Sequence, residues 1–110
     1  MTVYNKLYVV VRTDLPPEAQ AIQASHAAVE WARDYGHNYT HPTFVFLSVE
    51  NKLQLQLLRI RLILANKSYV LFHEPDYDRG LTAIAIHHYG ANGDYTRHSI
   101  LKNFKLWKLK

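Results

Sequence analysis

A chain of 110 residues with 48% apolar and 20% charged side chains fits one globular domain spanning 1–110 and excludes a disordered or low-complexity protein. The absence of cysteine excludes a disulfide scaffold, a zinc ribbon and any thiol nucleophile. No apolar run approaches the ~20 residues of a membrane span, and Met1-Thr2-Val3-Tyr4-Asn5-Lys6 lacks the plan of a secretion signal, so a soluble, cytoplasmic protein with no membrane partner is expected.

In chain order, Leu7–Arg12 is an uninterrupted apolar, β-branched run, the pattern of a strand covered on both faces. Thr13-Asp14-Leu15-Pro16-Pro17-Glu18 then reads as a helix start, with proline where an N–H has no partner and an acid in the first turn. Helical spacing through Ile22, His26, Val29 and Ala32 follows, Trp31 is placed in the core, and Gly36 closes the helix ahead of a polar loop to Pro42. Phe44–Ser48 is a second strand. Leu53–Leu64 alternates like a strand but also sets Leu53, Leu57, Ile60 and Leu64 at helical spacing, with Leu58 and Leu62 beside them. Its length and its leucine, glutamine and arginine content favour a helix, ended at Asn66-Lys67. Tyr69–His73 and Leu81–His88 are the third and fourth strands, Gly90–Asp94 a turn, and Thr96–Phe104 a short final helix. The expected fold is α/β, a single four-stranded mixed sheet covered by helices, with its site at the carboxyl end of the first strand.

The net charge of +4 is unevenly spread. Arg97, Lys102, Lys105, Lys108 and Lys110 share the segment from Tyr95 with no acid, and Lys52, Arg59, Arg61 and Lys67 share 51–73 with none. Glu74, Asp76 and Asp78 form the opposing cluster. Segregated positive charge favours phosphate-bearing partners, against the plainer reading of a solvated face.

Val10-Val11-Arg12-Thr13-Asp14-Leu15, Gln23-Ala24-Ser25-His26-Ala27-Ala28, Thr82-Ala83-Ile84-Ala85-Ile86 and Leu106-Trp107-Lys108 follow one another in the order of a known family. They resemble the Val-Val-Arg-x-Asp-Leu strand end, the Gln-Cys-Ser-His-Ala helix, the fourth strand and the tail of the type 2 peptidyl-tRNA hydrolases. The resemblance implies that family's fold, agrees with a helix over Leu53–Leu64, and suggests a homodimer. It also exposes departures. The family's glycine- and lysine-rich turn, with a lysine proposed to act in catalysis, is replaced by Pro16-Pro17-Glu18-Ala19-Gln20. Its Asp-Ala-Gly-x-Thr-Gln segment is replaced by Glu74-Pro75-Asp76-Tyr77-Asp78-Arg79-Gly80, leaving Glu74 as nearest carboxylate and Thr82 as the matching hydroxyl. Ester hydrolysis builds an oxyanion that needs a cation or donor, which the missing lysine no longer supplies.

Two functional expectations follow. The first is a binding module for a phosphorylated nucleotide on the hydrolase scaffold, using Arg12, Asp14, Gln23, His26, Glu74, Thr82 and His88. Such a compact chain suits sequestration of a small nucleotide, as when a phage-encoded protein captures an immune signal. The second is an active hydrolase of the peptide–tRNA ester, with Glu74 and Thr82 positioning water and tail cations holding tRNA. Glu74 with His87 or His88 offers a base and an acid, although adjacent strand histidines face opposite sides. Tyr77, Tyr4, Tyr35, Tyr39 and Trp107 are candidate stacking surfaces, against the commoner core or interface role. His73 with Asp76 and Asp78 has neither an EF-hand loop nor a His-Glu-x-x-His helix, so neither metal nor cofactor is expected.

Overall fold

A computed structural model describes residues 3–35, 42–75, 79–91 and 99–108. The expected features at 36–41, Asp76–Asp78, 92–98 and Lys110, including Tyr39, Tyr77 and Arg97, lie outside the described residues, as do the side chains of Tyr4 and its neighbours.

The architecture is α/β, with one open mixed sheet and a helix on each face. Strand β1 (Val3–Arg12) runs through helix α1 (Pro17–Tyr35) into β2 (Thr43–Val49), which leads to α2 (Lys52–Leu64), then β3 (Val70–Glu74) and β4 (Gly80–Ala91). A 3₁₀ turn at Ser99–Leu101 precedes β5 (Lys105–Leu106). The sheet order is β3-β4-β1-β2-β5. Strand β1 pairs parallel with β2 and antiparallel with β4, and β5 pairs antiparallel with β2.

The central position of β1 explains its unbroken apolar run. Leu7, Val9 and Val11 pack toward α1 with Ala24, Ala27, Ala28, Trp31, Ala83 and Ala85. Tyr8 and Val10 pack toward α2 with Leu55, Leu58, Leu62, Ile84 and Ile86. Both faces are dry, so alternation would have no use.

Helix α1 starts with Pro17 at its first position, and the Pro16 carbonyl accepts the Gln20 N–H at 3.0 Å. Helix α2 is capped by Asn51, whose side chain accepts from Gln54 N. It ends as a Schellman motif: Asn66 takes φ 55°, its N–H donates to Ile63 O at 3.0 Å, and Lys67 N–H donates to Leu62 O at 2.9 Å.

Four expectations are corrected. The sheet has five strands, because the tail adds a short edge strand at Lys105–Leu106. Gly90 and Ala91 continue β4 opposite Tyr4 and Val3 rather than starting a turn. Of the expected final helix, the described part is only the 3₁₀ turn at Ser99–Leu101, closed by Phe104 N donating to Leu101 O.

The helix faces differ as well. In α1 the buried residues are Ala19, Gln20, Gln23, Ala24, Ala27, Ala28 and Trp31, while Ile22 and Val29 are exposed. In α2 Leu55, Leu58 and Leu62 are buried, and Leu53, Leu57, Ile60 and Leu64 face solvent. A periodic stripe marks a face but not which side of the helix the sheet occupies.

Candidate functional site

The carboxyl ends of β1 and β2 carry a polar constellation that begins with Arg12. Its Nε donates to Asp14 Oδ1 at 2.8 Å and one terminal nitrogen donates to Asp14 Oδ2 at 3.0 Å, a two-point pair. The other terminal nitrogen donates to the carbonyls of Arg79 and Leu81 at 2.7 and 3.1 Å. Arg12 therefore ties the end of the central strand to the β3–β4 connection. Gly80 between those carbonyls has φ 68°, a left-handed conformation that side-chain-bearing residues rarely adopt.

A bulge places Thr82. Phe72 pairs with Ala83 and His73 with Leu81, so Thr82 is the extra residue of β4. Its hydroxyl, buried at 0% exposure, thereby turns to the α1 face, 3.0 Å from Gln23 Oε1 and 3.2 Å from the Phe72 carbonyl. Gln23, 2% exposed, in turn donates through Nε2 to Glu74 Oε2 at 2.8 Å. His26 stacks on Phe72 with ring centroids 4.6 Å apart. Gln23, His26, Glu74 and Thr82 thus share the α1 side of the sheet, while Arg12 and Asp14 pair with each other at the end of β1.

His88 does not join them, since it lies 6.4 Å from the Tyr8 ring, on the α2 side. His87 packs on the α1 side against Trp31 at 4.9 Å. Burial lowers its pKa below the ordinary value, with the nearby charges of Lys67 and His88 acting in the same direction. Trp107 is anchored: its ring N–H donates to Gln20 Oε1 at 2.7 Å and its backbone N–H to Phe46 O at 2.9 Å. Gln20 also donates to the carbonyls of Thr13 and Leu15 at 3.2 and 2.7 Å, so this one buried side chain joins the β1 turn, α1 and the tail.

Beside this constellation runs an open groove of about 990 Å³. Its floor is the strand ends at Thr13, Ser48 and Val49, one wall is α2 with Leu57, Leu58 and Arg61, and the other is the tail with Phe104, Lys105 and Lys108. Gln20 reaches it from α1, and Glu50 is the acid on its lining. The sequence pattern predicts a site at this sheet end, but the wall residues are new. The acid-free segments carrying Arg61, Lys105 and Lys108 held the signal. Only the packing of α2 on one sheet face and of the tail along β2 brings those cations together. A smaller cavity of about 390 Å³, lined by Trp31, Tyr35, Lys67, Tyr69 and His87, lies elsewhere. Among the described residues no group of three or more His, Asp and Glu side chains is arranged to hold a metal ion, and no helix is long and apolar enough to cross a membrane.

No protein-family model matches the sequence, and no curated protein matches it. Among solved structures, the chain is similar to a protein of unknown function, Atu0240 from Agrobacterium tumefaciens C58, with a TM-score of 0.68 and 12% identity over 94% of this chain and 98% of that one. At that identity the likeness concerns the fold alone.

Proposed function

We propose that this protein is a cytoplasmic binding module for a phosphorylated, nucleotide-type ligand, held in the groove at the carboxyl ends of β1 and β2. The observation that carries the reading is the groove's lining: Arg61, Lys105 and Lys108 supply positive charge beside the apolar surface of Leu57, Leu58 and Phe104. Phosphates need cations or N–H donors, and a base or sugar face needs apolar cover. The position also suits an open α/β sheet, whose ligands gather outside the carboxyl ends of the strands. Arg12 and Asp14 frame the same end, and Gln20 with Trp107 holds the tail wall in place. The scaffold reading is a divergent type 2 peptidyl-tRNA hydrolase fold, supported by the order of the resembling segments.

The hydrolase reading draws on a different observation: Gln23, Glu74 and Thr82, at the family's positions, converge within hydrogen-bond reach. Gln23 is held from both sides, its amide oxygen by Thr82 and its Nε2 by Glu74, which favours scaffold over catalysis. The deciding experiment is calorimetry of the protein with mononucleotides, cyclic dinucleotides and ADP-ribose-like compounds, run beside release of N-blocked amino acid from charged tRNA. Binding of a small nucleotide, weakened about tenfold or more in the Lys105→Ala, Lys108→Ala double variant, is the expected result. Turnover of charged tRNA that Thr82→Ala or Glu74→Ala abolishes would replace it with the hydrolase, and binding of no compound would remove the nucleotide reading.

A further inference from the structure

The two helices present different surfaces to solvent. Along α1 the exposed large aliphatic residues are Ile22 and Val29, seven positions apart, and the charges are Glu18, Glu30 and Asp34 against Arg33 alone. Along α2 Leu53, Leu57, Ile60, Ile63 and Leu64 are each more than half exposed, Leu64 at 80%, and the charges are Lys52, Arg59 and Arg61 with no acid. Singly exposed apolar side chains are ordinary, but five on one 13-residue helix make a patch that marks a contact surface. Leu55, Leu58 and Leu62 hold the opposite side of α2 against the sheet. The spacing of four, three and four residues from Leu53 to Leu64 therefore runs the stripe along the outer ridge, and Ile63 broadens it.

Charge divides across the molecule in the same sense. The tail packs on the α2 side through Ile100, Leu101 and Phe104, and it carries Lys102, Lys105 and Lys108. Arg59 leans on the Tyr69 hydroxyl at 3.4 Å, the Lys52 side chain runs beside Gly80, and Arg61 faces the groove. The cations thus stand on the shoulders of the ridge and not on its crest. They attract an anionic surface without touching it, because a charge acts over a Debye length of roughly 8–10 Å.

The crest selects the occupant. It is wholly leucine and isoleucine, with no aromatic or hydrogen-bonding side chain. Protein interfaces are anchored by Trp, Tyr and Arg seated in pockets, and leucine is under-represented among those anchors. A convex aliphatic ridge of about 20 Å meets fluid hydrocarbon without any shaped pocket. Helices that lie in a bilayer interface share this plan, an aliphatic face at the acyl–headgroup boundary with cations on its flanks. Lying in the interface takes no spanning run, so it accords with the lack of a helix long and apolar enough to cross a membrane among the described residues.

We infer that the outer face of α2 docks this protein on an anionic lipid bilayer, with Leu53, Leu57, Ile60, Ile63 and Leu64 immersed at the acyl–headgroup boundary and the cations of α2 and the tail within reach of the headgroups. The contact is independent of the ligand reading. Leu53, Ile60, Ile63 and Leu64 lie outside the groove lining, and Leu57 and Arg61 mark where the two surfaces adjoin.

Flotation of the full chain with vesicles tests the inference. Vesicles of phosphatidylcholine with about a third phosphatidylserine should carry the protein, and pure phosphatidylcholine should bind it about tenfold more weakly. Added salt should reduce the anionic binding. Leu64→Trp sets a fluorophore on the crest, and its emission should shift to the blue with anionic vesicles, which adsorption through charge alone does not produce. Ile60→Glu and Leu64→Glu should each weaken partitioning about tenfold or more. Their thermal unfolding and nucleotide calorimetry should match those of the unsubstituted protein, whichever way the calorimetry falls. Absence of binding to the anionic vesicles overturns the inference and leaves the face to an acidic protein partner. Binding that both glutamate variants leave intact overturns it as well, because the cations then suffice without the ridge. Equal binding to the two vesicle types removes the anionic requirement and overturns it too.

Discussion

The two faces of the sheet are built on different chemistry. Under α1 the contact is made by small residues, Ala24, Ala27 and Ala28 against Ala83 and Ala85, so helix and sheet approach closely and leave room for buried amides. Gln20 and Gln23 are both buried there and both hydrogen-bonded. Under α2 the contact is Leu55, Leu58 and Leu62 against Ile84 and Ile86, with no buried polar side chain from the helix. The α2 face gains from non-directional burial. The α1 face depends on pairings that must all be made, because an unsatisfied buried donor or acceptor costs more than a made hydrogen bond contributes. Each face thus has its own mode of failure, and four experiments separate them.

The largest effect is expected on the apolar face: Leu62→Ala should lower unfolding free energy by about 2–5 kcal/mol in urea titration, with no change in the contacts of the α1 side. On the polar face, Thr82→Val keeps the side-chain shape but removes the proton shared between Gln23 and the Phe72 carbonyl, and should cost about 1–3 kcal/mol. Combined with Gln23→Met, it should show a coupling of about 1 kcal/mol. Strict additivity would mean that the two residues do not form one network. Trp107→Phe, which deletes the donor to Gln20, should cost about 0.5–1.5 kcal/mol and release the tail first, read as faster amide exchange at Lys105 and Leu106.

The smallest effect is the pH dependence from His87, half-buried against Trp31. Its pKa in the folded protein lies below the ordinary 6.5, so the unfolded chain binds the proton more readily. Stability associated with this group is present above pH 6.5 and is lost as pH falls through that value toward the lower folded pKa. His87→Phe should flatten the stability profile in that acidic window. A slope unchanged by the substitution would assign it to another group.

Much of the fold was legible along the chain because local chemistry and tertiary role agree there. The β1 run is continuous because both faces are covered, Pro17 sits where helices accept proline, and Asn66 takes the left-handed turn that ends α2. The helix faces were not legible. The large residues Ile22 and Val29, with Leu53, Leu57, Ile60 and Leu64, outweigh alanine and glutamine on any hydropathy scale, yet they point away from the sheet. The site was half legible. Arg12 and Asp14 announced the strand end, but a bulge was needed to turn Thr82 toward Gln23, and nothing local forecasts the residue at which a register slips.

The amino-acid sequence by itself determined the first four strands and the two long helices, the doubly buried central strand and the charge segregation. Periodicity, capping and composition act within a few residues and are written in the order of the chain. Only the tertiary structure decided which side of each helix is inward, that the tail closes the sheet as a fifth strand, that Gln20 joins turn, helix and tail, and that Arg61 meets Lys105 and Lys108 across one groove. Those are relations between residues far apart in sequence, set by which surfaces exclude water together, and no local pattern carries them.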